Sequence, residues 1–169
     1  DGGGLDDLLG FSVIGRERGT RHWLIWNHAF AHEKVLELRK EIAPRLKDFI
    51  EEKSLTLCQT PEEMMTMLGN LIEIVVESGL LPEKDAVGLD PNNVAAIVEE
   101  LFKRNVTEKM LRRLRVTPGE ALSPAWWGLE FKLADGTVRH AGLALMVFNV
   151  GNAKVERRGN GIMITKQMA

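Results

Sequence analysis

Four aspartates stand where they could do metal chemistry: Asp1, Asp6 and Asp7 in DGGGLDDLLG, and Asp90 in AVGLDP. Phosphodiester hydrolysis needs such carboxylates. Hard Mg²⁺ or Mn²⁺ prefers carboxylate oxygen, and two ions about 3.5–4 Å apart can clamp the attacking water and the leaving oxygen. Asp1 leads through Gly2-Gly3-Gly4, glycines that let a polyanionic backbone approach closely. Asp90 ends an apolar run, the place where α/β sheets gather functional groups. If the two strands are neighbours, Asp1 and Asp90 converge on one metal site. Plainer roles exist. Asp90 before Pro91 is a good helix N-cap followed by Pro at the first helical position. Asp1, Asp6 and Asp7 also read as an acidic, glycine-rich segment. Spacing alone leaves both readings open.

Cations for phosphate cluster in two places, Lys109, Arg112, Arg113 and Arg115, then Lys154, Arg157 and Arg158. Each run is equally a solvated face, and the formal net charge of −2 does not decide between them. His28 and His32 could pair as ligands only if helical. Trp23, Trp26, Trp126 and Trp127 could stack bases, although packing explains them as well. Glu130 and Glu156 are conceivable further acids.

Positioning these groups falls to alternating strands and helices. Leu8–Glu17 and Arg21–Phe30, joined through Arg18-Gly19-Thr20, read as an antiparallel hairpin. Val35, Leu38, Ile42, Leu46, Phe49 and Ile50 recur at helical spacing, with Pro44 kinking that helix or starting a second. Leu55–Cys58 is a short strand. Thr60-Pro61-Glu62-Glu63 is a helix start with a capping box, and the helix runs to Ser78-Gly79. Ala86–Leu89 is a buried strand, after which Asp90-Pro91 opens a helix through Leu101. Ser123-Pro124 begins another that Asp135-Gly136 stops. Leu143–Val150 suits helix or strand, and residues 154–156 and 162–165 form a second hairpin around Arg158-Gly159-Asn160-Gly161. The expected class is α/β, a mixed sheet with helices on its faces.

At 169 residues the chain suits one domain with its own core. Cys58 is the single cysteine, which excludes an internal disulfide and any multi-cysteine metal site. No apolar stretch approaches the roughly 18 residues that span a bilayer, and DGGGLDDLLG lacks the basic start of a secretory signal. GGGLDDLLG also lacks the Gly-Lys-Ser/Thr end of a P-loop.

DGGGLDDLLGFSVIGRE followed by RHWLIWNHAF resembles the opening of the nuclease domain of bacteriophage terminase large subunits. AVGLDPNNVAAIVEEL is similar to that family's strand and helix carrying its second catalytic carboxylate. LSPAWWGLEFKLADGTVRHAG and LALMVFNVGNAKVERRGNGIMITKQ resemble its late segment, with Asn149 or Asn152 and Lys166 in familiar places. The similarity runs along nearly the whole chain.

The resemblance implies a ribonuclease H-like fold and a metal-dependent endonuclease that cuts concatemeric duplex DNA. Asp1 and Asp90 would be catalytic metal ligands, with Asp7 a further ligand, holding Mg²⁺ or Mn²⁺. Arg112, Arg113, Arg115, Arg157, Arg158 and Lys166 would contact DNA. Implied partners are duplex DNA, the portal protein, the small terminase subunit and an ATPase domain of the same polypeptide, in the bacterial host cytoplasm and away from membranes. The family's third acid follows the segment ending at Ala169 and has no match here. Residues 1–169 are therefore expected to be one excised nuclease domain, weak alone. The alternatives are a non-catalytic docking or DNA-binding module of the same fold and, last, an actin-like or sugar-kinase ATPase.

Overall fold

The computed structural model describes residues 4–90, 94–113 and 122–166. Its centre is a hairpin of β1 (Leu9–Arg16) and β2 (Trp23–His32), in register from Leu9 opposite Phe30 to Arg16 opposite Trp23. Arg21, at φ 63°, completes the turn in the left-handed region. The other edge of β2 serves two strands at once. Its second half pairs in parallel with β3 (Leu55–Cys58), and its first three residues pair in parallel with β6 (Val138–His140).

Antiparallel pairing to β1 and parallel pairing to β3 and β6 make the sheet mixed, and helices cover both of its faces, an α/β fold. Proline settles the first helical stretch: α1 (Val35–Leu38) is a single turn, and α2 (Ala43–Glu51) starts anew with Pro44 in its first turn. Thr60 caps α3 (Pro61–Glu77) by accepting the Glu63 N–H at 3.1 Å. The Glu63 carboxylate reaches back to the Gln59 N–H at 2.6 Å, one residue before the cap.

Alternation along β2 divides the core. Phe30, Leu9 and Cys58 pack on one face against Leu68 and Ile72 of α3 and against Ile97 and Leu101 of α4 (Ala95–Lys103). Ala29, Ala31 and Leu55 pack on the other against Leu46 and Phe49 of α2 and Leu145 of α6 (Ala144–Gly151). Each buried Leu or Phe stabilises by about 1.5–3 kcal/mol. The ambiguous apolar run near Leu143 is thus helix. Glu52 fixes its start, both carboxylate oxygens accepting the Ala144 N–H at 2.9 and 3.0 Å, and those bonds hold the Glu52 carboxyl below its ordinary pKa.

A second, two-stranded parallel sheet joins β4 (Val87–Leu89) to β5 (Leu111–Arg113), which follows a 3₁₀ turn at Glu108–Met110. It is tied to the rest through α3 and α4. Buried Glu100 accepts from Lys103 at 3.2 Å and Arg104 at 3.3 Å, while Arg104 also reaches Glu73 at 2.6 Å and Asn70 at 3.3 Å. Gly69 faces the Glu100 carboxylate so closely that any β-carbon there would collide with it. Last come α5 (Ser123–Ala134) and the expected hairpin, β7 (Ala153–Arg158) with β8 (Gly161–Lys166). Ser123 joins them, its hydroxyl accepting the Ile162 N–H at 2.8 Å.

Candidate functional site

Two cavities flank β1. The first, about 810 Å³, has carboxylate, guanidinium and amide side chains among its lining residues. Asp6 and Asp7 stand there beside Arg39, with Ser12 and Asn27 from the hairpin and Asn149 and Asn152 from the end of α6. Asp7 is half-buried, and its Oδ1 accepts the Leu8 N–H at 2.8 Å, which orients the carboxylate as the chain enters β1. The Ser12 hydroxyl donates to Asn27 Oδ1 at 2.7 Å across the hairpin. Arg39 donates to Glu41 at 2.7 Å. That bond raises the guanidinium above its usual pKa, with weaker support from the charges of Asp6 and Asp7.

His28 also lines this cleft, stacked on Trp26 at 5.6 Å. Its Nε2 is 2.9 Å from the Thr56 hydroxyl, and burial lowers its pKa. Both His28 and His32 lie on strand β2, not on a helix, and His32 Nδ1 accepts the Lys34 N–H at 3.1 Å. They form no helical ligand pair.

The second cavity, about 490 Å³, is apolar and separates β1 from β4. Asp90 lies in its wall, half-buried, directly after β4. The first turn of α4 begins at Ala95 with Val94 in the cap position. Residues 91–93, on which the expected Asp90-Pro91 cap falls, lie outside the described residues.

Asp1 lies outside the described residues, so its pairing with Asp90 has no place in this geometry. Asp7 and Asp90 line different cavities, although both cavities share Gly10, Phe11 and Ser12 of β1 as a wall. Among the described residues, no three His, Cys, Asp or Glu side chains gather closely enough to hold a metal ion. The donors that are placed are hard carboxylate oxygens, the right kind for Mg²⁺ or Mn²⁺, but they do not amount to a full set.

The cation clusters separate in the same way. Arg112, exposed in β5, is 3.8 Å from Asp85. Arg113 sits in the same strand opposite Leu89, and Arg115 lies outside the described residues. Arg157 is exposed in β7 opposite Ile162, with Arg158 opposite Gly161 and Lys166 in β8 opposite Ala153. Of the tryptophans, Trp23 lies under the Arg16 guanidinium at 4.9 Å, and Trp127 is 41% exposed.

Sequence reasoning missed Arg39, Ser12 and Asn27. Ser12 and Asn27 are ordinary polar positions on alternating strands and Arg39 follows α1, and only the fold shows that these three border one cleft with Asp6 and Asp7. Among the described residues, no helix is long and apolar enough to cross a membrane.

This is a mixed α/β domain with carboxylates on either side of its first strand. Its coordinates match the crystal structure of the HK97 bacteriophage large terminase, with a TM-score of 0.75 and 16% sequence identity. The match covers 96% of this chain and 33% of that one, so the chain spans about a third of the neighbour's length. At that identity the likeness is one of fold. No protein-family model matches the sequence, and no curated protein does.

Proposed function

We propose that this chain is the nuclease part of a phage DNA-packaging terminase, a ribonuclease H-like domain that cuts concatemeric duplex DNA with divalent metal. The observation that carries the reading is the fold match along 96% of the chain to a large terminase. The carboxylates beside β1 and β4 support it. Asp1 and Asp90 hold Mg²⁺ or Mn²⁺ in this reading, and Asp7 assists from the turn before β1. A bound pair of ions supplies charge to activate water and to neutralise the leaving oxygen. The protein's own part is to fix the carboxylates, as the Leu8 N–H does for Asp7. Arg112, Arg113, Arg115, Arg157, Arg158 and Lys166 meet phosphates. Partners are duplex DNA, the portal protein, the small terminase subunit and an ATPase domain in the same polypeptide, within the bacterial host cytoplasm.

The test is Mn²⁺-dependent plasmid cleavage by three proteins: residues 1–169, a longer polypeptide extended at both ends, and that longer polypeptide with Asp90→Asn. The three carboxylates of Asp1, Asp90 and Asp7 bring about −3 of charge against +4 from two ions, so residues 1–169 should cut poorly. The longer one should cut faster by orders of magnitude. Asp90→Asn should abolish the gain while circular dichroism stays unchanged. An undiminished rate in Asp90→Asn sinks the assignment, and DNA binding without cleavage by the longer protein means a docking module instead. Binding should be sequence-tolerant and steeply salt-dependent, and charge reversal at Arg112 or Arg157 should weaken it about equally for all sequences.

A further inference from the structure

The far end of the hairpin carries arginines without acidic partners. Arg16 ends β1, Arg18 and Arg21 lie in the turn, and β6 brings Arg139 beside Leu24. All four are exposed. Among the described residues, Arg39, Arg45, Arg104 and Arg112 each have a carboxylate within 4.0 Å, whereas these four have none so near. The acids on this side are Glu17 in the turn and Asp135, which follows α5 on the approach to β6. Asp6 and Asp7 stand at the opposite end of β1, about 26 Å away for an eight-residue strand.

Exposed cations are ordinary on a solvated face, but these are held in place. The Arg16 guanidinium lies 4.9 Å from the Trp23 ring centroid, and its Nε donates to the Arg21 carbonyl at 3.1 Å. Stacking and that bond fix the plane of the group and leave its terminal nitrogens to an outside acceptor. The turn is closed by its own bonds. The Glu17 N–H donates to the His22 carbonyl at 2.9 Å, the Arg21 N–H to the Glu17 carbonyl at 3.0 Å, and the His22 N–H to the Thr20 hydroxyl at 3.2 Å. That hydroxyl donates to the Glu17 carboxylate, which is thus turned away from the arginines. Arg21 occupies the left-handed region at φ 63°, whereas Gly19 in the same turn does not. Glycine would hold that conformation more cheaply, so the position is kept for its side chain.

The hairpin also projects. Neither packed core takes a side chain from residues 13–26, and Ile14 and Leu24 are 63% and 44% exposed. We infer that the turn of the β1–β2 hairpin, with Arg139 at its flank, is a docking surface for the phosphate backbone of duplex DNA. A two-stranded ribbon fits the major groove, about 12 Å wide, and a duplex presents one charge about every 1.7 Å of its axis. Cations on all sides of a projecting turn meet the two walls of such a groove, whereas an acidic protein surface meets one side of the turn. Guanidiniums fixed in plane suit two-point contact with phosphate. The inference rests on the reading that this chain handles duplex DNA, and it adds a contact outside the carboxylate cleft.

Fluorescence anisotropy of residues 1–169 with a labelled duplex of about 20 base pairs tests it, in EDTA so that no cutting intervenes. Arg18→Gln combined with Arg21→Gly keeps the left-handed turn and removes two guanidiniums. The Kd should rise roughly 10-fold or more at about 0.1 M salt, and the slope of log Kd against log salt should flatten by about 1.8, two phosphates at about 0.9 each. Arg18→Lys, which keeps the charge, should keep the parent slope. The double variant should unfold in urea no earlier than the parent, because Arg21→Gly relieves the left-handed arginine. If it unfolds earlier, Arg139→Gln, outside the turn, decides: it should weaken binding by a smaller factor, and an unchanged Kd overturns the inference. Unchanged Kd and slope in both variants, while Arg157→Glu weakens binding, also overturn it and leave the DNA reading standing. No binding by the parent at low salt removes both. Polyglutamate that competes as well as unlabelled duplex at equal charge overturns it in favour of an acidic protein partner.

Discussion

The two sides of β1 are held by different forces. Toward β2 an eight-residue ladder and two packed cores surround the strand. Toward β4 no backbone pairing crosses among the described residues, and the short β4–β5 sheet is carried by the α3–α4 pair. Backbone ladders fix distance and register, whereas side-chain contacts through helices fix proximity alone. Equal substitutions on the two sides should therefore have unequal effects.

The largest effect is expected at Leu46, fully buried under the hairpin. Leu46→Ala should cost about 3–4 kcal/mol in urea denaturation, because a closed core cannot collapse around the void. Leu89→Ala, lining the existing cavity between β1 and β4, should cost about 2 kcal/mol, at the low end for a buried leucine. Equal costs would break the comparison. Next comes Arg104→Ala, which leaves buried Glu100 with Lys103 alone. A loss of about 2 kcal/mol is expected, with Val87–Leu89 amides exchanging faster than those of Phe11 and Val13. If both sets speed up together, the two sides unfold as one unit.

Thr60→Ala removes the cap of α3, the helix common to both sides, and should lower stability by about 1 kcal/mol at any pH between 6 and 8. His28 gives the smallest effect and the one specific to the hairpin side. Burial lowers its folded pKa, whereas the unfolded chain keeps a value near 6.5. Below about 6.5 the unfolded state binds more protons, so stability is full above that pH and falls as acid is added, until the folded pKa is passed. Urea midpoints at pH 7.5 and 5.5 should differ less in His28→Gln than in the parent. An identical pH slope would remove His28 as the cause.

Most of this architecture was legible before any coordinates. The hairpin announced itself by two β-type runs around Arg18-Gly19-Thr20, and α3 by Thr60-Pro61 with Glu63. β5 and β6 were not legible, because strands of three residues such as Leu111–Arg113 and Val138–His140 carry no measurable period. At the site, the aspartates stood out by residue type. Arg39 did not, because an arginine after an apolar turn is common, and its tie to Asp6 and Asp7 exists only across the fold.

The double use of one edge of β2 also sets an order of assembly. The hairpin closes a short turn, and β3 then joins across the two short helices α1 and α2. Pairing β6 with Trp23–Ile25 closes about two thirds of the chain into one loop. Loop closure costs about 0.6 kcal/mol more for each doubling of length, so the β6 contact gains least per bond until everything between is in place. β6 is thus the latch, closed last and opened first, and the rate at which Trp23 becomes shielded should report the end of folding.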